Sequence, residues 1–450
     1  MRYYIECTHT AGTQYNTGIQ RVVRNVINTS LAEPAAGRHI TPVIFDAGRF
    51  QPLAGPLPYP APKSEEQNAG RPPAAKAKFH PATYAQGVYR ALRQLAAALL
   101  PWQPWVDFLN APATAPGLSR LLTTPVRWLR KKPATPVDPP QPAPAVTFHP
   151  GDVLILLDSS WHLSLWDEVR TLQSQGVQVV CIVYDLIPYI CPQYCESKTK
   201  YYYCQWMAEA FSTADAFLCI SQTVAEEIQE TLPRIVERTK PLRVNYFWLG
   251  SELDGQHLPT GTSTVHQTIA SIIQSPKPVY LYVSTIEPRK NHAYALDAFE
   301  RLWAQGHQAQ FIIVGRVGWL CADLIQRVRT HPQYGRQLFM FNQAGDDILA
   351  QLYGRANGLL FTSHAEGFGL PMVEALQRGL PVFASNIPVF RELGAEGVTF
   401  VDLTNPAHLA NALARHIEAG APRLPAPIPW LNWRQSTQQF WDRVDQCLQS

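Results

Sequence analysis

Across about 350 of its 450 residues this chain alternates short apolar runs of β type with stretches of helical periodicity, a pattern satisfied by parallel sheets covered with helices. Ten strand candidates follow, at 40–45, 153–157, 177–183, 216–220, 243–247, 279–283, 310–314, 337–341, 358–361 and 380–384, with helices filling the gaps between them. Between Leu249 and Pro278 the pattern lapses into Gly, Thr, Ser and Pro, which places a boundary there. The organisation expected is an N-terminal domain over 1–248, a linker over 249–277, a C-terminal domain over 278–425 and a closing segment over 426–450. That last segment sets Phe440, Trp441, Val444 and Leu448 at spacings near 3.6, which predicts an amphipathic helix. The fold class is therefore α/β, with two Rossmann-like doubly wound domains facing across a cleft and ligands at the carboxyl ends of the strands.

The stretch from Pro52 to Pro150 departs from this plan, because it holds 20 of the 39 prolines. Its ends, 52–81 and 133–150, read as extended linker, and its middle holds helical patches that prolines break into short pieces. Between Lys76 and Lys132 nine basic residues stand against the single acid Asp107, interleaved with Trp102, Trp105, Phe108 and Trp128. Such a segment (76–132) suits an anionic membrane surface, and equally a helical flap packed on the protein with a solvated basic face. The chain as a whole has a formal net charge of +3, too balanced for a nucleic-acid partner. With 46% hydrophobic and 16% charged residues it folds rather than remaining disordered.

The longest apolar runs fall far short of the roughly 18 residues a membrane-spanning helix needs. The segment Met1 to Cys7 lacks the features of a secretory leader, and eight mostly scattered cysteines read as reduced thiols. The compartment expected is the cytoplasm, with peripheral attachment to the inner face of the membrane if the basic segment binds lipid. Cys191, Cys195 and Cys204 lie close in sequence but offer no Cys-x2-Cys pair and no nearby histidine, so they read as small buried hydrophobes rather than as a zinc site.

Two motifs carry chemistry. After the strand at 279–283 comes Ser284-Thr285-Ile286-Glu287-Pro288-Arg289-Lys290-Asn291-His292, which sets adjacent cations at the carboxyl edge of a parallel sheet, a place for phosphate. After the strand at 358–361 comes Glu366-Gly367-Phe368-Gly369-Leu370-Pro371, leading into a helix that carries Glu374. Pro371 is a natural first helical residue, so the glycines shape a loop at a helix N-terminus, where free N–H groups favour an anion such as a diphosphate. Glu366 in the loop and Glu374 one turn into the helix are suited to hydrogen-bonding a polyhydroxylated ligand.

These two runs, with Val314-Gly315-Arg316 and Gly379-Leu380-Pro381-Val382, resemble the retaining GT-B glycosyltransferases of family four. The resemblance is strong over about 278–416 and moderate over the N-terminal body, where Asn16 to Arg24 and Tyr184-Asp185-Leu186-Ile187-Pro188 are similar to the family pattern. It does not cover 52–150. The resemblance implies a nucleotide-diphosphate sugar in the C-terminal domain, contacted by Ser284, Thr285, Arg289, Lys290, Gly315, Arg316, Glu366, Gly367, Phe368, Gly369, Leu370 and Glu374. Within that set Glu366 meets the donor sugar, Glu374 the ribose, and Arg289 with Lys290 the diphosphate. Glu366, Asp185 and Lys290 are the candidate catalytic residues. The loop Thr17-Gly18-Ile19, before a helix carrying Arg21 and Arg24, would face donor and acceptor across the cleft, and the closing helix would cross back to the N-terminal domain. Asp185 could equally be a carboxylate that caps the next turn, and His364 reads as a packing residue rather than a base.

No metal or other cofactor is expected, since the sequence contains no Asp-x-Asp element of the metal-dependent kind. The family pattern often has arginine where Ser284 stands and histidine where Tyr184 stands. The small-polar version of the first loop resembles that of bacterial polysaccharide mannosyltransferases, which implies GDP-mannose as donor and a glycan or lipid-linked acceptor. A UDP-sugar donor, a sugar-nucleotide epimerase or hydrolase, and a non-catalytic glycan-binding scaffold are the other readings. A chain lacking 52–150 should lose the co-sedimentation with anionic lipid vesicles expected of the full chain. Unchanged sedimentation, or none by the full chain, would overturn the membrane reading.

Overall fold

The computed structural model describes residues 1–13, 15–16, 18–34, 37–59, 145–252, 264–342, 345–394 and 396–449. The basic segment 76–132 with its helical patches, residues 253–263 of the expected linker and Thr17 lie outside the described residues; the second half of that linker is not loop but the helix Thr264–Gln274, whose Ile269 and Ile272 are buried. Two sheets organise the remainder. The first has seven strands, β1 (Arg2–Glu6), β2 (His39–Asp46), β3 (Arg49–Pro52), β4 (Val153–Leu156), β5 (Gln178–Val183), β6 (Ala216–Cys219) and β7 (Val244–Tyr246), in the order β3-β2-β1-β4-β5-β6-β7. The second has six, β8 (Val279–Val283), β9 (Gln310–Val314), β10 (Leu338–Phe341), β11 (Gly358–Phe361), β12 (Val382–Ser385) and β13 (Val398–Val401), in the order β10-β9-β8-β11-β12-β13. All pairings are parallel except that of β2 with β3.

The continuous apolar runs become strands covered on both faces, as parallel sheets require: every residue of β4, β6, β9, β11 and β12 is buried. The central strand β1 is absent from the ten candidates. Its sequence, Arg-Tyr-Tyr-Ile-Glu, is flanked by charges and reads weakly on its own, yet pairing with β2 on one side and β4 on the other holds it at the heart of the sheet. The edge strands β3 and β13 are also additional; both have four residues, too few for a periodic signal. All ten candidates correspond to strands, and none shifts by more than two residues at either boundary.

Two chain crossings link the sheets, and they lie side by side. The Ser251 N–H donates to the Leu431 carbonyl at 3.0 Å, and Trp430 Nε1 to the Leu249 carbonyl at 2.8 Å. Gly250 packs so closely that a Cβ there would lie 2.6 Å from the Trp433 Cα. The closing helix, Trp433–Gln449, then packs on the N-terminal sheet domain. Trp441 meets Tyr3 edge-on with centroids 4.9 Å apart and donates through Nε1 to Ser30 at 2.9 Å, while the Tyr3 hydroxyl donates to Asp445 at 3.0 Å. Burying aromatic and aliphatic side chains of this size stabilises by about 1.5–3 kcal/mol each.

Glu392, on the helix Pro388–Leu393 of the second sheet domain, adds a polar clasp. Its carboxylate accepts from the Gln222 and Thr223 N–H groups and from Trp248 Nε1, each at 2.8 Å, and from the Thr223 hydroxyl at 2.7 Å. These are the free donors at the start of the helix Gln222–Thr231 in the first sheet domain, where a negative charge is also favoured by the helix dipole. Replacing Glu392 by Ala should speed hydrogen exchange at the 222 and 223 amides by about tenfold, matching a cap worth about 1–2 kcal/mol, with little change in the core strands; exchange is read by mass spectrometry.

Candidate active site

Loops leaving the carboxyl ends of β8 and β11 bring the two sequence motifs together. Glu366 lies between two cations: one carboxylate oxygen accepts from Arg289 at 2.8 Å and the other from Lys290. Arg289 also pairs with Glu287 at 2.7 Å and donates to the Ala365 carbonyl at 2.5 Å, and the His364 N–H returns a bond to the Arg289 carbonyl at 2.9 Å. All four charged side chains are largely buried. Burial alone would raise the Glu366 carboxyl, but the charges of Arg289 and Lys290 outweigh it and hold the group at about 2. Burial and the neighbouring Arg289 push Lys290 down, whereas Glu366, Glu287 and Asp185 override the burial cost for Arg289 and hold it firmly protonated.

The surrounding backbone explains the glycines. A Cβ on Gly315, which has φ +154°, would lie 1.7 Å from the Ser284 carbonyl oxygen, so only glycine lets the β9 loop close on the β8 loop. Ser284 donates its N–H to Val314 at 3.0 Å and sets its hydroxyl 3.2 Å from His292 Nε2. Thr285 packs against Gly318, and the Arg316 guanidinium lies 5.0 Å from the Tyr15 ring of the first sheet domain. Gly369 precedes the helix Leu370–Leu376, with Pro371 in its first turn. Phe368 is buried near Trp430, with ring centroids 6.1 Å apart, and Leu370 packs against the core.

Across the cleft, Gly367 approaches the first sheet domain so tightly that a Cβ would lie 1.8 Å from the Tyr184 carbonyl and 3.0 Å from the Asp185 Cβ. Its carbonyl accepts from the Ser221 hydroxyl at 2.8 Å. Asp185, two residues beyond β5, is therefore beside the Glu366 loop. Its carboxylate accepts from the Ile187 N–H at 3.0 Å, capping the following turn, and burial raises it against the opposing pull of Arg289. His364 stacks on Tyr194 with centroids 4.8 Å apart and planes 8° from parallel, a packing contact between the two halves.

Glu374 is buried and accepts from Arg21 across the cleft and from the Tyr353 hydroxyl at 3.0 Å. Neither partner is evident from local sequence, since both come from elements distant in the chain. Gly18 opens the helix Gly18–Ala32 and Ile19 packs on the hydrophobic core. Arg24, grouped with Arg21 by sequence, instead turns inward: it is 2% exposed and donates to the carbonyls of Tyr15, Thr13 and Pro58 at 2.7, 3.0 and 2.9 Å, so its charge organises the loop ahead of the helix. At the carboxyl edge of the same sheet Glu6 is fully buried and, with Asp158 nearby, is pushed well up by burial; its single residue-type signal is lost in the short β1 run. Cys191, Cys195 and Cys204 are half-buried rather than buried, and among the described residues no cluster of His, Cys, Asp and Glu could hold a metal ion.

This arrangement, two Rossmann-like domains with their strand ends facing, is the GT-B fold. At TM-score 0.53 the chain aligns with sucrose-phosphate synthase from Thermosynechococcus elongatus, at 18% identity over 100% of this chain and 96% of that one. At the same TM-score it aligns with Anabaena HepE in complex with UDP and glucose, at 13% identity over 98% and 99%. Residues 267–424 match the family described as glycosyl transferases group 1. The serotype-specific mannosyltransferase WbdA of Escherichia coli is 33% identical over 302 residues, 65% of this chain and 37% of that protein. The O-antigen chain mannosyltransferase B of Escherichia coli is 24% identical over 241 residues, 53% and 60% respectively. The chain thus spans little more than a third of the WbdA sequence.

Because the Glu366 carboxyl is held at about 2 against an ordinary 4.5, its contribution to stability is complete above about pH 4.5 and is lost as the pH falls towards 2. Thermal melts should therefore show wild type more stable than Glu366→Gln at pH 7, with the gap closing between about pH 4.5 and 2. A gap independent of pH would mean that Glu366 is not held as an anion by its two neighbours.

Proposed function

We propose that this chain is a retaining glycosyltransferase that moves a hexose, mannose from GDP-mannose, onto a surface polysaccharide or lipid-linked glycan. The observation that carries this reading is the buried Arg289–Glu366–Lys290 cluster facing Asp185 across a closed cleft in a group 1 glycosyltransferase domain. The mannosyltransferase names of the relatives support the choice of sugar. Cleaving the bond between sugar C1 and the diphosphate builds negative charge on phosphate and positive charge on the ring. Fixed cations beside the phosphate and a permanent carboxylate beside the sugar then stabilise the charges as they develop.

Each residue has a defined task in this reading. Arg289 and Lys290 take the leaving diphosphate, while Glu366, ionised at any physiological pH, accepts from a sugar hydroxyl. Glu374 takes the ribose hydroxyls once Arg21 releases it, which leaves the Arg21 charge at the cleft as the donor arrives. Asp185 orients the incoming hydroxyl. Front-face attack assisted by the leaving phosphate accounts for retention without a covalent intermediate, and no metal is assigned to the reaction. Attachment of the basic segment 76–132 to an anionic membrane surface would place this chemistry beside lipid-linked acceptors.

The test begins with thermal stabilisation against GDP, UDP, ADP and their sugar conjugates, since only a ligand that prefers the native state raises the melting temperature. A shift with GDP and GDP-mannose is expected; a shift with UDP compounds alone would reassign the donor. Lys290→Ala should then lower transfer by about 100-fold or more with the fold intact, and near-normal turnover would overturn its role.

A further inference from the structure

The first sheet domain contains a cavity that the transfer chemistry does not use. It measures about 700 Å³, within the roughly 300–1,000 Å³ of small-molecule sites, and lies between the helices Trp166–Ser174 and Ser197–Thr213 and the loop that follows β4. Its wall is aromatic, with Trp161, Trp166, Tyr202 and Trp206, interspersed with hydrogen-bonding groups such as Gln205 and Glu209. Trp166 and Trp206 pack against each other with centroids 5.3 Å apart, and their buried indole N–H groups find no acceptor among the described residues. Tyr202 is 39% exposed, with the Tyr201 ring edge-on to it at 5.5 Å between centroids.

The charges exclude the commoner ligands. The guanidinium of Arg170 in the wall is already held by Asp167 at 2.7 Å and by Glu209 at 2.8 Å, which leaves the cavity with no surplus positive charge for a phosphate or a nucleotide. Hydrogen-bonding side chains distributed among the rings make it a poor berth for an alkyl chain. A neutral sugar fits both features, because its C–H faces lie on aromatic rings while its hydroxyls pair with amides and carboxylates at the ring edge.

The cavity is also joined to the proposed reaction centre. Trp161 packs edge-on against Tyr203 with centroids 5.0 Å apart, and the Tyr203 hydroxyl donates to the Asp185 carbonyl. We propose that this cavity is a subsite for the glycan acceptor, binding neutral hexose units of the growing chain one or more residues away from the hydroxyl that reacts. This inference rests on the transferase reading above.

The test uses the full chain, calorimetric titration with a neutral mannose octasaccharide, and the variants Trp161→Ala and Tyr202→Ala; the second alters an exposed ring and spares the fold. Each variant should weaken octasaccharide binding by about tenfold, the loss expected of one stacking ring, while binding of GDP is unchanged. In transfer assays Tyr202→Ala should raise KM for the octasaccharide by a similar factor, with kcat unaltered and KM for a mannose disaccharide unchanged. Octasaccharide binding that is undetectable in wild type, or equal in wild type and both variants, overturns the subsite and leaves the transferase reading intact. Absence of transfer to every acceptor would overturn the transferase reading, while the donor-free titration would still decide whether the cavity holds glycan.

Discussion

The candidate site depends on keeping two cations and two carboxylates out of water in one loop system. A buried charge without a partner is expensive, and a buried pair is tolerable only when its geometry satisfies most of its hydrogen-bonding capacity. Glu366 meets that condition by accepting from both Arg289 and Lys290, with Glu287 and the Ala365 carbonyl completing the shell of Arg289. The loops from β8 and β11 are thereby fixed against each other. The glycines follow from the same compaction, since neither Gly315 at Ser284 nor Gly367 at Tyr184 leaves room for a methyl group. In the proposed reaction a diphosphate would meet positive charge that is already arranged but shared with carboxylates, and would bind by repartitioning those contacts.

Much of this was legible in the sequence because it is local. Adjacent Arg289 and Lys290 after an apolar run, and two glycines before Pro371, each announce a strand end and a helix start, and the structure sets both at the carboxyl edge of the second sheet. The continuous apolar strands were readable for the same reason. What could not be read is long-range. β1 is central only because two distant segments pair with it, and its terminal Glu6 weakens the apolar signal. The partners of Glu374 come from the helix Gly18–Ala32 and from Tyr353, and no spacing rule connects them. Arg21 and Arg24 lie on the same helix yet diverge, the one towards Glu374 and the other into carbonyls of its own loop, a distinction set by three-dimensional neighbours alone.

Several contacts between the two sheet domains are polar and geometrically exacting: the Ser221 hydroxyl on the Gly367 carbonyl, Glu392 on the helix start at Gln222, and Arg21 on Glu374. Each of these hydrogen bonds costs little to open, because water can replace it as the surfaces part. The closing helix adds apolar contact with the first domain through Trp441, Phe440 and Val444.

The adjacent crossings at 249–251 and 430–433 have a mechanical meaning. A single linker would leave the halves free to twist as well as to open, whereas two strands bonded to each other at Ser251 and Leu431, with Gly250 pressed on Trp433, behave as a paired strap. Torsion about the strap would shear those bonds apart; bending across it would not. Any opening of the halves would then be a bend across the strap rather than a twist, and closing would restore the same registration.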